Sequence, residues 1–311
     1  MPIPIWKTEL KEVAPNVFAY IQGGGPGIDN HSVSNAGLIN GDDSSMVIDA
    51  LTAPVLTKAF IAAMKKINPK PFRHLVNTHH HPDHVRGNCF FLPIEIVAHE
   101  KCREAVLEAG LTFPTRPDWK EGIDELKLAP PTTTFTDKMT YRYGDLEIQL
   151  VYNGPAHTMG DAQIYLPRYK VLFAGDVAFH YVAPHFWQGH GSGLLRVLDW
   201  IKDLDVETIV PGHGPLGTKK EISEMREYVE TMRREAKKRF DAGMSAVEAS
   251  VDINMGRFDD WPNATERVIG NVMRFYLEFQ GTPLATIDPK EIRKARESYL
   301  ARKGTASTSS A

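Results

Sequence analysis

Residues 79–84 read His-His-His-Pro-Asp-His, placing four potential metal ligands in six positions as H-x-H-x-D-H. Imidazoles and a carboxylate packed that closely are expensive to bury unless something binds them jointly, and a cation does so. Three further positions carry the same chemistry where a strand meets a loop. They are His157 in Gly-Pro-Ala-His-Thr (154–158), Asp176 in Ala-Gly-Asp (174–176) and His213 in Pro-Gly-His-Gly (211–214). The flanking Gly and Pro let the backbone turn tightly about an ion. Imidazoles and carboxylates without a thiolate suit Zn²⁺, Mn²⁺ or Fe²⁺.

Together these residues resemble the metallo-β-lactamase superfamily over about residues 15–215. Their order and spacing are family-like: 73 residues from His84 to His157, 19 on to Asp176 and 37 on to His213. The resemblance implies an α/β fold, the four-layer αββα sandwich, with a dinuclear site at one edge of its two sheets. It implies two Zn²⁺ per chain, or Mn or Fe in their place. His79, His81 and His157 would hold one ion, Asp83, His84 and His213 the other, and Asp176 would bridge them. Asp49 matches a family position that supports the site through hydrogen bonds. His80, set between two ligands, is expected to point away and serve in support. Two cations ~3.5–4 Å apart lower the pKa of a bridging water from 15.7 towards about 7. The implied reaction is attack of that hydroxide on a carbonyl, with the oxyanion stabilised by one metal and Asp83 orienting the nucleophile.

Asp176 narrows the resemblance. β-Lactamases of the superfamily usually place Cys or Ser at that position, whereas glyoxalase II-like thioesterases and lactonases keep Asp. The run 78–88, THHHPDHVRGN, is similar to glyoxalase II down to its trailing Gly-Asn. Ala156 and Met159 depart from it, standing where many relatives have Gly and Pro, and the C-terminal helices show no basic cluster for glutathione. The implied activity is hydrolysis of an ester, thioester or lactone of a small hydrophobic or aromatic substrate. The alternative in the same superfamily is an iron-dependent persulfide dioxygenase with one iron on two His and one Asp. β-Lactam hydrolysis ranks below both.

Residues 179–190 follow Asp176 and are rich in aromatics and His. His180 and Tyr181 are candidates to donate to an oxyanion or protonate a leaving group, joining Asp83 as catalytic residues. Phe179, His185, Phe186 and Trp187 are candidates to bind substrate, with Phe186 and Trp187 equally readable as core.

The elements that must position these residues are legible in part. Strands are expected at 17–22, 36–39 and 46–51, then an amphipathic helix from Pro54 through Phe60 and Met64 to Ile67. A buried strand at 72–77 runs straight into the His cluster. A strand at 94–98 and a helix at 100–108 follow, then an irregular stretch, 110–131, readable as a lid or as a packed surface excursion. A hairpin turns at Gly144-Asp145, and strands at 162–166, 171–174 and 208–210 flank a helix at 193–204. The Gly-rich stretch 23–27 reads as a hairpin loop, since no G-K-[ST] follows. Thr218 and Glu221 form a capping box that opens a long helix. The expected organisation is a catalytic domain at 1–217, a helical extension at 218–302 packed on it or on a second subunit of a homo-oligomer, and a disordered tail at 303–311.

Composition limits the partners. A net charge of −3 over 311 residues offers no basic surface for nucleic acid, so a small-molecule substrate is expected. No apolar run is long enough for a membrane, and the first residues do not read as a secretory signal. Cys89 and Cys102, the only cysteines, are expected as free thiols in a reducing, cytoplasmic setting.

Overall fold

The structure is a computed structural model that describes residues 2–308. The first sheet runs in chain order: β1 (Glu9–Ala14), β2 (Val17–Ile21), β3 (Ala36–Asn40), β4 (Ser45–Ile48), β5 (Phe72–Val76), β6 (Glu95–His99) and β7 (Thr133–Phe135). It is antiparallel to β4 and parallel from there on. Parallel neighbours need a crossover, and α1 (Pro54–Ile67) supplies the first of them. The short turn α2 (Pro82–Val85) and the helix α3 (Glu100–Ala109) belong to the next two.

The second sheet comprises β8 (Lys138–Tyr143), β9 (Leu146–Val151), β10 (Gln163–Leu166), β11 (Val171–Phe179) and β12 (Thr208–His213). Only β11 and β12 are parallel, joined through α4 (Gly191–Asp203). Four helices complete the described chain: α5 (Lys219–Asp241), α6 (Ala246–Asp252), α7 (Ala264–Phe279) and α8 (Pro289–Thr308).

Hydrophobic patterning produces the layers. Ile39, Met46, Ile48 and Val76 of the first sheet meet Ile148, Leu150, Ile164 and Phe173 of the second. Phe60 and Met64 of α1 cover the outer face of the first sheet on Leu38, Val47 and Leu75. On the far face, Leu194 and Leu198 of α4, Met225 and Val229 of α5 and Phe275 of α7 bury Leu172 and Ile209. The result is the αββα sandwich expected from the sequence, and α5 and α7 share one core with the second sheet. No helix among the described residues is long and apolar enough to cross a membrane.

Several expectations need correction. β1 was not foreseen because its charged residues (ELKEVA) carry no apolar signal, which suits a sheet edge. β11 continues five residues past Ala174, so Asp176 lies inside a strand. β4 stops at Ile48 because Asp49 and Leu51 are left-handed, with φ of 58° and 65°. The segment 110–131 packs beside α1 through Lys58–Glu125 (2.6 Å) and a buried Trp119, and does not line the metal cleft. The backbone of α8 is helical to Thr308, past residue 302 where the helical extension was expected to end. Helix-forming Ala301, Arg302 and Lys303 carry it into the polar stretch. Residues 309–311 of the expected tail lie outside the described residues.

Candidate metal centre

The segment from β5 to α2, the loop carrying His157, β11 and the end of β12 converge at one edge of the two sheets. β5 ends at Val76 and delivers Thr78 and His79; His81 precedes α2, whose Pro82 starts a turn presenting Asp83 and His84. β11 supplies Asp176 and β12 ends on His213, its parallel neighbour in the sheet. Two glycines make this convergence possible. Gly175 has φ +57°, and a Cβ there would lie 2.7 Å from Thr78 Cβ. A Cβ on Gly212 would fall 1.9 Å from Asp176 Oδ1. Neither position tolerates a side chain without moving the site.

The donors form two groups whose ligand atoms lie within 4.8 Å of one another: His79, His81, His157 and Asp176, and Asp83, His84 and His213. Asp176 faces both. Its Oδ2 is 3.3 Å from His157 Nε2, 3.7 Å from His79 Nε2 and 3.2 Å from His213 Nε2, while Oδ1 is 3.1 Å from His84 Nε2. Asp83 Oδ2 lies 3.3 Å from His213 Nε2 and 3.8 Å from His84 Nε2.

Each imidazole is fixed through its other nitrogen. Asp49 accepts from Thr78 N (2.8 Å) and Thr78 Oγ1 (2.7 Å) and pairs with His84 Nδ1 at 2.7 Å. His213 Nδ1 is 3.0 Å from the Val33 carbonyl, and His157 Nδ1 bonds the His185 carbonyl. His79 Nδ1 lies 3.1 Å from Thr78 Oγ1. His81 Nε2 donates to Gln188 Oε1 at 2.6 Å, which turns its Nδ1 towards the site, 2.8 Å from His157 Nε2. Such outer partners set the tautomer and the direction of a ligand.

These residues fit a cation. His79 Nε2, His84 Nε2 and Asp176 Oδ1 are buried with no hydrogen-bond partner, which folded proteins rarely permit. His84 Nε2 and Asp176 Oδ1 are close but misaligned for each other, as two ligands of a common ion would be. Burial, then the neighbouring His84, holds His79 well below the usual imidazole range, and burial lowers His157 to about 3. Both present lone pairs at neutral pH. Burial also lowers His84 and His213, but Asp176 beside each, with Asp49 or Asp83, outweighs it and raises both. A cation entering this site therefore displaces protons from them. Burial pushes Asp83 and Asp176 up, but His84 and His213 overcome it and keep both ionised.

Asp49→Asn removes the charge that orients His84 and is expected to weaken metal binding by about 10–100-fold. Competition with a chromophoric chelator measures this, and an unchanged affinity would remove His84 from the ligand set.

Beside the donors opens a cleft of about 110 Å³. Phe179 and His185 line it, and the Phe179 ring lies flat on His213 with centroids 5.0 Å apart. Four other candidates do not reach it. His180 turns to the Pro215 carbonyl (2.9 Å) and packs on Gly217. Tyr181, left-handed with φ 58°, sends its hydroxyl to Glu221 of α5 (3.2 Å). Phe186 is fully buried against Phe275, and Trp187 lies against Gly270. Tyr181, Phe186 and Trp187 thus turn to α5 and α7. Phe186→Ala should accordingly cost about 3–5 kcal/mol of stability, measured by denaturant unfolding. His80 belongs to neither donor group and lines a separate cavity with Lys101 and Arg274.

Sequence reasoning missed Gln188 and the cleft residues His31, Asn263, Glu266, Arg267 and Arg296. None of them lies in a metal-like motif, and the last four come from the C-terminal third of the chain.

Residues 30–213 match the family described as the metallo-beta-lactamase superfamily. The chain is 26% identical over 184 residues to the 2,4-dinitroanisole O-demethylase subunit alpha of Nocardioides sp. (strain JS1661), covering 56% of this chain and 51% of that protein. It is 22% identical over 227 residues to the linear primary-alkylsulfatase of Pseudomonas sp. (strain ATCC 19151), covering 60% and 43%. With the hydroxyacylglutathione hydrolase of Brucella anthropi it shares 25% over 177 residues, covering 57% and 59%. The chain thus spans about half the length of these relatives. Among solved structures, the sec-alkylsulfatase Pisa1 from Pseudomonas sp. superposes with a TM-score of 0.66 at 17% identity, over 88% of this chain and 50% of that one. A metallo-beta-lactamase family protein from Thermus thermophilus gives 0.63 at 19%, over 87% and 95%. Both likenesses are of fold. Because the segment matched by the family takes in all seven donors and the strands from β3 to β12, the chain belongs to the metallo-beta-lactamase superfamily.

Proposed function

We propose that the protein is a dinuclear metal-dependent hydrolase acting on an ester, thioester or lactone of a small substrate. The observation that carries this reading is Asp176, a single buried carboxylate with one oxygen towards His157 and His213 and the other towards His84. His79, His81, His157, Asp83, His84, Asp176 and His213 would hold two divalent cations, Zn²⁺ best suited and Mn²⁺ or Fe²⁺ also compatible with these donors, which would supply a water of near-neutral pKa and a Lewis acid for the substrate carbonyl.

The chain's own residues do the rest. Asp83 stays ionised and has its side chain 14% exposed on the cleft, where it can accept a hydrogen bond from the attacking water. Phe179 holds the His213 ring and closes one wall against solvent. His185 offers the leaving group an imidazole that burial, aided by Arg267, keeps uncharged. Relatives named as a hydroxyacylglutathione hydrolase and an alkylsulfatase support bond hydrolysis as the reaction class.

The test is a panel of aryl esters, thioesters, lactones and alkyl sulfates with the zinc-loaded chain. Turnover of one class is expected, lost on chelation and restored by zinc. No hydrolysis with two ions bound contradicts the reading. One iron per chain with oxygen uptake on glutathione persulfide would establish the dioxygenase instead.

A further inference from the structure

Arg239, Arg267 and Arg274 are each less than a tenth exposed. Two are fully occupied. Arg239 pairs with Asp252 at 2.9 Å and with Glu235. Arg274 donates to the carbonyls of Trp187, Pro283 and Ala285. Arg267 differs: it gives one hydrogen bond, Nη1 to the Ala183 carbonyl, lies 5.2 Å over the Phe179 ring, and has no carboxylate partner among the described residues. Arg267 lines the metal cleft. Arg296 of α8 lines the same cleft, half-buried, without a hydrogen bond or ion pair among the described residues. Glu266, exposed at the rim, pairs with neither.

A buried guanidinium without a counter-charge is costly, and its planar fork of donors matches an oxyanion. The carboxylates that act most strongly on Arg267 are Asp176 and Asp83. Cations bound at the metal centre would neutralise both, leaving the cleft with excess positive charge. Both arginines also lie beyond residues 30–213, the segment that matches the family, so they belong to the C-terminal helices and not to the shared metal site.

We propose that Arg267 and Arg296 form an oxyanion subsite, so that the substrate is an anion, its carboxylate or sulfate held by α7 and α8 while the scissile bond lies at the metals. This rests on the hydrolase reading of the same cleft.

The test uses the zinc-loaded full chain with 4-acetoxybenzoate and its methyl ester, a pair differing in charge, alongside 4-nitrophenyl sulfate and 4-nitrophenyl acetate. Binding of 4-hydroxybenzoate and its methyl ester, followed by calorimetry, gives a readout that needs no turnover. A charge-assisted contact predicts a preference of about 10–100-fold for the anion. Arg267→Met and Arg296→Ala should each reduce that preference by about tenfold at unchanged zinc content. Arg296, half-buried and with no hydrogen bond or ion pair among the described residues, keeps the test valid if the buried Arg267 variant misfolds.

A carboxylate preference places the anion on an appended group, whereas sulfate turnover that both variants lose makes it the scissile group; either supports the subsite. Equal treatment of anionic and neutral probes, or a preference that survives in both variants, overturns it. If esters are hydrolysed without preference, the subsite fails and the hydrolase reading stands. If nothing is hydrolysed but 4-hydroxybenzoate binding depends on the arginines, the reverse holds.

Discussion

Asp176→Ala is expected to reduce bound zinc from two ions per chain to one or none and to lower turnover by at least about 10³-fold, the scale seen when a key electrostatic group is removed. The reason is geometric. Among the described residues no other carboxylate is paired with both His157 and His84: Asp176 sets one oxygen 3.3 Å from His157 Nε2 and the other 3.1 Å from His84 Nε2. Its loss also deprives His84 and His213 of the negative charge that acts most strongly on each. Metal analysis by atomic absorption, with the rate on the best substrate of the panel, checks both effects. Two ions retained in the variant would mean that Asp176 is not a bridge.

Metal removal should produce the second large effect. Stripping the chain with a chelator is expected to lower the thermal midpoint by on the order of 10 °C. An ion at about 1,000 times its dissociation constant contributes about 4 kcal/mol, and each kcal/mol moves a domain of this class by about 2–4 °C. The metal-free chain must bury His79 Nε2, His84 Nε2 and Asp176 Oδ1 without partners.

The pH dependence follows from the same site. His84 and His213 have raised values in the metal-free fold, so their protonation stabilises that fold at low pH, and this contribution is lost as pH rises through those raised values. The zinc-induced shift should therefore grow with pH and shrink on acidification, where protons compete for the same nitrogens. Differential scanning fluorimetry with and without zinc across that range measures it. A zinc effect independent of pH would mean that neither imidazole binds metal.

The donor set was legible in the sequence because metal chemistry restricts both residue type and spacing. The run 79–84 and the isolated His157, Asp176 and His213 have few structural reasons to exist. Asp49 was legible as a support, but not the left-handed backbone that swings its carboxylate to Thr78 and His84. The sandwich followed from hydrophobic alternation, except at β1, a polar edge strand with no such signal.

The walls of the cleft were not legible. Tyr181 and His180 stand close to Asp176 in sequence, yet Tyr181 reaches Glu221 of α5 and His180 turns to the loop that follows β12. Arg267 and Arg296 lie about a hundred residues downstream and reach the cleft only because α7 and α8 fold back across it. Proximity along a loop says little about side-chain direction, whereas ligand chemistry must converge wherever its residues stand.

The most direct test of a two-metal centre is a crystal structure of the zinc-loaded chain with anomalous scattering recorded at the zinc edge. The account predicts two peaks about 3.5–4 Å apart, one on His79, His81 and His157 and one on Asp83, His84 and His213, with Asp176 between them. A single peak, with Asp83, His84 and His213 left to one another, would contradict it.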